Sequence, residues 1–178
     1  MLRSTRASTV FSTVLHRLKA VRYSSTAAGA RLHALPKDWE SRMVGGRRIT
    51  DSDTLQVVTM VYGGLVNKNI VAQLQARGVN ALGLTGADCN IIRAHKRPVG
   101  EVDYGFVGDV DKADGAMFAR LIEQGIVPIV APLTHDGNGN LLNTNADTMA
   151  AETAKALSAH YETRLIYCFE HPGVMRDP

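Results

Sequence analysis

The chain has 178 residues, of which 45% are hydrophobic, and this is enough for one compact core and little more. Seven of its 20 basic residues lie in residues 1–37, which hold no acid, so the remainder carries 13 basic against 17 acidic residues. That balance excludes a basic nucleic-acid surface in the folded part. Cys89 and Cys168 lack metal-ligand spacing, so we predict no metal site, and no segment has the roughly 18 consecutive apolar residues of a membrane span.

The first 26 residues are rich in Arg, Ser and Thr, contain no acid, and place apolar side chains along one helical face. This pattern is typical of an organelle-targeting peptide. The alternative is a start that is accidental or wrongly assigned. We therefore predict a leader over residues 1–29. A genuine leader would imply the mitochondrial matrix, whereas a bacterial protein would be expected in the cytoplasm.

A long helix is predicted from Thr50 or Asp51, as the N-cap, to about Gly78. Apolar residues recur at helical spacing, at Leu55, Val58, Val61, Leu65, Ile70 and Leu74. The pair Gly63-Gly64 interrupts this pattern, and each glycine costs about 1 kcal/mol against alanine. We expect the pair to permit close packing against another helix, with contact to a bound ligand as the alternative.

Strands and helices alternate after Gly78. The pattern predicts strands at residues 79–84, 91–94, 126–132 and 165–168, a twisted hairpin over 102–110, a helix over 114–124 and a turn at 136–140. Pro128 indicates an edge position or a bulge for its strand. This order predicts an α/β fold with a mostly parallel central sheet between helix layers, a three-layer sandwich.

The segment Asn143-Thr144-Asn145-Ala146-Asp147 stands where an apolar strand gives way to an alanine-rich helix. The first N–H groups of a helix have no partners within it, and its N-terminus carries a partial positive charge. Phosphates and carboxylates bind readily at such a position. The alternative is that Asn145 or Asp147 only caps the helix.

Several motifs, taken in order, give the chain a resemblance to the acetylglutamate kinases of the amino-acid kinase family. The matching segments are VGGRRITD (44–51), MVYGGLVNK (60–68), GLTGAD (83–88), VDYGFVG (102–108), PIVAP (128–132) and NTNAD (143–147). Each motif alone is weak, but together they extend from about Gly29 to Asp177. The resemblance implies an incomplete amino-acid kinase fold over residues 30–178, with the acceptor-binding half and the start of the nucleotide half.

The resemblance also implies a reaction. ATP, with Mg²⁺, would phosphorylate the side-chain carboxylate of an N-acylated glutamate to an acyl phosphate in arginine biosynthesis, without a tightly bound cofactor. Arg48 matches the arginine that clamps the α-carboxylate, Asn143 the asparagine that touches the acceptor, and Asp147 the aspartate that orients the catalytic lysines. No base is required, because the acceptor is already a carboxylate at neutral pH.

Some residues have simpler interpretations or depart from the family pattern. Arg47 and Arg48 could be a solvated basic pair, and Arg47 is interpreted in that way. Glu170 and Gly173 are weak candidates near the nucleotide, because Cys-Phe-Glu-His-Pro-Gly replaces the usual Thr-Asp-Val-Pro-Gly. A similar Cys-Phe-Glu occurs in a bacterial subgroup associated with succinylated intermediates, so both acetyl and succinyl acceptors stay open.

The family's Lys-x-Gly-Gly and His-Gly-Gly-Gly motifs are not in the sequence, and neither are the catalytic lysines that Asp147 would orient. The chain is therefore interpreted as truncated at both ends. Two functions are open. One is a phosphotransferase whose sequence is incomplete, and the other is a non-catalytic homologue that binds an acyl-glutamate or pairs with a complete subunit. A complete protein is expected to form a homo-oligomer, without nucleic-acid or membrane partners.

Overall fold

The computed structural model describes residues 43–44 and 47–167. The predicted leader over residues 1–29 and the candidates Glu170 and Gly173 lie outside them. The elements in chain order are β1 (Met43–Val44), β2 (Arg47–Arg48), α1 (Ser52–Val58), a π-helical segment (Thr59–Val66), α2 (Asn67–Gln75), β3 (Ala81–Leu84), a 3-10 turn (Asp88–Asn90), β4 (Ile92–Lys96), β5 (Val107–Ala113), α3 (Gly115–Glu123), β6 (Val127–Val130), β7 (Leu133–His135), β8 (Leu141–Thr144) and α4 (Ala146–Leu157).

The long helix predicted before Gly78 is present as α1, the π-helical segment and α2 in succession. Asp51 is its N-cap, because the carboxylate accepts a 2.8 Å hydrogen bond from the Thr54 N–H. The chain leaves the helix at Gly78, whose φ of +70° suits glycine. The helix is therefore predictable at both ends, whereas the π-helical form of its middle was not predicted.

The two glycines of the π-helical segment have different surroundings. A Cβ on Gly63 would lie 3.2 Å from Leu133 Cδ1, whereas a Cβ on Gly64 would meet no atom within 4 Å. Close packing is thus needed at Gly63, but the neighbour is strand β7 and not another helix. The predicted helix–helix contact is corrected to a helix–strand contact.

The strands pair in both directions. Strands β3 and β6 are parallel, with Ala81 opposite Val127. Strands β4, β5, β8 and β7 close into a ring, in which β4–β5 and β7–β8 are antiparallel while β5–β8 and β4–β7 are parallel. The predicted α/β class is confirmed. The parallel pairs join distant segments, whereas the antiparallel pairs in the ring join neighbouring strands.

Two predicted elements are wrong in detail. Residues 102–110 do not form a hairpin of their own, because Val107–Ala113 is one strand paired with β4. Position 108 of this strand requires glycine, because a Cβ there would come within 2.7 Å of Thr144 Oγ1. Residues 165–167 of the predicted last strand have no regular structure, and Ile166 is 58% exposed. Apolar content alone does not form a strand without an edge to pair with, and Cys168 lies outside the described residues.

Two apolar clusters position the site. Phe118 of α3 and Met149 of α4 pack with Leu84, Ile91 and Ile92, which holds the start of α4 against the strands. In the other cluster Val58, Val61 and Val66 pack with Leu133 of β7. In the part of the chain that the structure describes, no helix is both long and apolar enough to cross a membrane.

Candidate functional site

Thr50 links the Arg48 segment, residues 47–50, to the ring formed by strands β4, β5, β8 and β7. Its side chain is fully buried, its N–H donates to the Tyr104 carbonyl at 2.9 Å, and its carbonyl accepts from the Phe106 N–H at 2.6 Å. Thr50 also forms a parallel bridge with Gly105. Arg48, two residues earlier, is therefore held beside the segment that leads into β5.

Asn143 reaches the same place from β8. It pairs with Val107 of β5, and its backbone N–H donates to the Phe106 carbonyl at 2.9 Å. Its side-chain Nδ2 donates to Thr50 Oγ1 at 3.0 Å. The structure thus joins the Arg48 segment and Asn143 through one buried hydroxyl, although Asn143 and Thr50 are 93 residues apart in sequence.

Tyr62 of the π-helical segment adds to the surroundings of Arg48. Burial raises the pKa of the Tyr62 hydroxyl, and the nearby positive charge of Arg48 opposes this shift. The Tyr62 side chain packs on the cluster of Val58, Val61 and Leu133. We did not single out Tyr62 from the sequence, although it stands directly before the glycine pair in the MVYGGLVNK motif. Only the fold shows that the long helix passes near Arg48.

At the start of α4, the structure assigns the capping role in the Asn-Thr-Asn-Ala-Asp segment to Asn145 and not to Asp147. Asn145 is the N-cap, since its Oδ1 accepts from the Thr148 N–H at 2.9 Å and from the Thr148 hydroxyl at 3.1 Å. Asp147 lies exposed in the first turn. Its carboxylate has no hydrogen-bond partner among residues 43–44 and 47–167, and so it remains available to another group.

Two further polar residues have structural contacts. Lys68 Nζ donates to the Gly83 carbonyl at 2.9 Å, on the strand below its helix. His135 contacts Asn90 Oδ1 through Nε2 at 2.8 Å and accepts from the Gly137 N–H at 3.2 Å. Lys68 therefore ties α2 to β3, and His135, the last residue of β7, ties the 3-10 turn to the loop that follows β7.

Comparisons with known protein families and curated proteins agree with this fold and with the order of the motifs. The model of the amino acid kinase family matches residues 16–178. The acetylglutamate kinase of Bacteroides thetaiotaomicron is 74% identical over 138 residues, which are 78% of this chain and 54% of that protein. That of Cytophaga hutchinsonii is 61% identical over 139 residues, covering 78% and 53%. The chain thus spans about half the length of these curated relatives.

Solved structures agree on the fold. The protein smu.665 of Streptococcus mutans UA159 has a TM-score of 0.67 at 24% identity, covering 89% of this chain and 64% of that one. N-acetylglutamate synthase of Neisseria gonorrhoeae, complexed with coenzyme A and N-acetyl-glutamate, has a TM-score of 0.59 at 18% identity, covering 86% and 35%. The predicted resemblance to acetylglutamate kinases is confirmed by the curated relatives, and the match over residues 16–178 shows that the chain belongs to the amino acid kinase family.

Proposed function

We propose that the protein to which this chain belongs transfers a phosphoryl group from ATP to the side-chain carboxylate of N-acetyl-L-glutamate. The product is an acyl phosphate of the arginine biosynthesis pathway. The observation that carries the proposal is 74% identity over 138 residues to a protein named acetylglutamate kinase. Because this chain covers 54% of that relative, the activity is proposed for the whole protein.

Arg48 and Asn143 would bind the acceptor. A guanidinium forms two parallel N–H bonds to a carboxylate, which suits Arg48 as the clamp on the α-carboxylate. Asn143 is half-buried beside Thr50, and one of its amide hydrogens is not used by that contact. Arg48 and Asn143 would thus supply a cation and an amide to one anionic molecule.

Asp147 would act on the phosphoryl-transfer side. The transition state of phosphoryl transfer is loose, so catalysis depends on position and on neutralising the transferred charge. Asp147 is exposed at the positive end of α4, and its carboxylate is free among the described residues to hold an ammonium group. The family's lysine motifs are not in this sequence, so this role requires lysines from the remainder of a longer protein.

ATP would bring Mg²⁺, which binds phosphate oxygens and water and needs few protein ligands. In the part of the chain that is described, no group of three or more His, Cys, Asp or Glu residues is arranged to hold a metal ion. The metal supplies neutralisation of phosphate charge when bound.

A second candidate function, binding without catalysis, is suggested by the residues that the structure brings together. Arg48, Thr50 and Asn143 are connected by hydrogen bonds and would form an acceptor side, whereas the sequence holds neither of the family's phosphate-loop motifs. A chain of this kind could bind an acyl-glutamate, or pair with a complete subunit, without catalysis. The acyl group in either case is acetyl or succinyl.

A hydroxylamine trap separates these candidates, because hydroxylamine converts an acyl phosphate to a coloured hydroxamate complex in the presence of iron. The assay is run with ATP, Mg²⁺ and either N-acetyl- or N-succinyl-L-glutamate, on the 178-residue chain and on the product of the complete transcript. Hydroxamate from the complete product supports the kinase. Binding of an acyl-glutamate without hydroxamate from either sample supports the second candidate, and the absence of both sinks the proposal.

A further inference from the structure

Thr50 lies between the two residues that resemble the acceptor-binding pair. Its Oγ1 accepts the 3.0 Å hydrogen bond from Asn143 Nδ2, and its hydroxyl donates to the Arg48 carbonyl over a longer 3.4 Å. We propose that Thr50 is a positioning residue that holds the Asn143 amide and the Arg48 backbone in one arrangement, so that an acyl-glutamate meets both at once. This inference rests on the proposed function.

The hydroxyl sets which way the amide faces. A threonine hydroxyl has one hydrogen and two lone pairs. Because the hydrogen is directed to the Arg48 carbonyl, a lone pair faces Asn143, and only the NH₂ side of the amide can bond to it. The Oδ1 atom and the second amide hydrogen of Asn143 have no partner among residues 43–44 and 47–167. The Asn143 amide therefore presents one acceptor, Oδ1, and one donor hydrogen to a ligand, in a defined orientation.

The backbone around Thr50 cannot easily adjust to the loss of this contact. Thr50 is bonded to Tyr104 and Phe106, and the Phe106 carbonyl also accepts from the Asn143 N–H. Phe106 thus ties the two backbones together, while the Thr50 hydroxyl controls rotation of the amide. Since the Thr50 side chain is fully buried, water cannot replace the missing partner without entering the fold.

The chain offers matched variants. Thr50→Val keeps the shape and removes the hydroxyl, whereas Thr50→Ser keeps the hydroxyl. Thr134→Val is the control, because Thr134 is equally buried and its hydroxyl is hydrogen-bonded to the Thr144 hydroxyl at 2.7 Å rather than to Asn143. We expect Thr50→Val to raise the Kd for N-acetyl-L-glutamate about tenfold or more. Thr50→Ser and Thr134→Val should stay within about threefold of the wild type.

The experiment is calorimetric titration of the 178-residue chain with N-acetyl-L-glutamate, with circular dichroism on each variant to check folding. Unchanged binding by folded Thr50→Val overturns the proposal. An equal loss in Thr50→Val and Thr134→Val also overturns it, because the effect is then one of general stability. If Thr50→Val does not fold, Thr50→Ser decides: wild-type affinity supports the proposal, and a tenfold loss in the folded variant counts against it.

A second readout works without ligand. The side-chain NH₂ of Asn143 gives two signals in a ¹⁵N–¹H spectrum, and the hydrogen bond to Thr50 changes the chemical shift of the bonded hydrogen. We expect Thr50→Val to shift these signals more than Thr134→Val does, with Thr50→Ser close to the wild type. If the wild-type chain binds no acyl-glutamate, acceptor binding by this chain alone fails, whereas the activity proposed for the whole protein is tested separately by the hydroxylamine trap. In that case unchanged Asn143 signals in Thr50→Val would also overturn the positioning role, and shifted signals would support it.

Discussion

The α-carbon of Gly105 lies against the backbone carbonyl of Thr50, and the two residues form a parallel bridge. A Cβ on Gly105 would come within 2.8 Å of the Thr50 carbonyl carbon, and its φ is +70°. Both facts require glycine at this position. The contact brings the Arg48 segment onto the entry to β5, where Asn143 pairs, and so it assembles the candidate site.

Gly105→Ala should therefore destabilise the chain strongly. The matched control is Gly125→Ala, because Gly125 has nearly the same φ of +73° but no atom within 4 Å of a Cβ. Both variants incur the left-handed backbone cost of about 1 kcal/mol, and Gly105→Ala adds the steric cost of roughly 1–3 kcal/mol. Urea unfolding followed by circular dichroism measures the difference. Equal midpoints for the two variants would show that the close contact with Thr50 does not limit stability.

Asp51 gives a pH-dependent contribution to stability. The Thr54 backbone N–H, together with the Thr54 side chain, lowers the pKa of the Asp51 carboxyl below its ordinary value of about 3.9. A lowered folded-state pKa means that the contribution is complete above about pH 4 and is lost as the pH falls through the folded-state value. Asp51→Ala should cost about 1 kcal/mol at pH 7.

Asp51→Asn is the control for that experiment. An asparagine caps a helix as well as an aspartate does but does not titrate. We expect the wild type to lose stability relative to Asp51→Asn as the pH falls from 6 to 3. The reason is that the aspartate cap becomes protonated in this range, whereas the asparagine cap does not titrate. Thermal unfolding over this range measures it, and parallel curves for the two proteins would argue against a lowered Asp51 pKa.

Arg48→Ala should weaken binding of the acyl-glutamate, because a carboxylate would lose two charge-assisted hydrogen bonds. The expected loss is on the order of 10- to 100-fold in KM, or in Kd where only binding is measured. Arg120→Ala is the control, since Arg120 is an exposed arginine on the surface of α3. A KM unchanged by Arg48→Ala would remove Arg48 from the acceptor site.

Asn145 and Asp147 should respond differently to substitution. Asn145→Ala removes the cap of α4 and should cost about 1 kcal/mol of unfolding free energy. Asp147→Asn should change stability by only a few tenths of a kcal/mol, because the side chain is exposed at the start of a helix. In the complete protein it should lower kcat on the order of a hundredfold. Full activity of Asp147→Asn in the hydroxylamine assay would contradict the orienting role.

The predicted leader is testable apart from the folded domain. Residues 1–29 fused to a fluorescent reporter should direct it to mitochondria in a eukaryotic cell, if the basic, acid-free pattern acts as a targeting peptide. Replacement of Arg3, Arg6 and Arg17 by glutamate should abolish import, because the net side-chain charge of the leader then changes from positive to negative. A diffuse signal from the unaltered fusion would count against the mitochondrial location.

Local patterns in the sequence were enough to predict several elements. Asp51 as N-cap, Gly78 at the helix end, Asp114 before α3 and the start of α4 near Asn145 all follow from capping chemistry within a few residues. The motif order also identified the family, and so the candidate roles of Arg48, Asn143 and Asp147. Those roles stay predictions until the substitutions are measured.

The tertiary structure alone decided how these residues meet. Nothing local indicates that Thr50 bonds to Asn143, that Gly63 faces a strand, or that Gly105 and Gly108 serve two different close contacts. Such contacts join segments that are tens of residues apart, and they depend on which strands pair and in what register. The sequence by itself therefore determined the candidate residues and the caps. The fold decided the buried hydroxyl that connects them, because a hydrogen bond between distant segments exists only after the strands have paired.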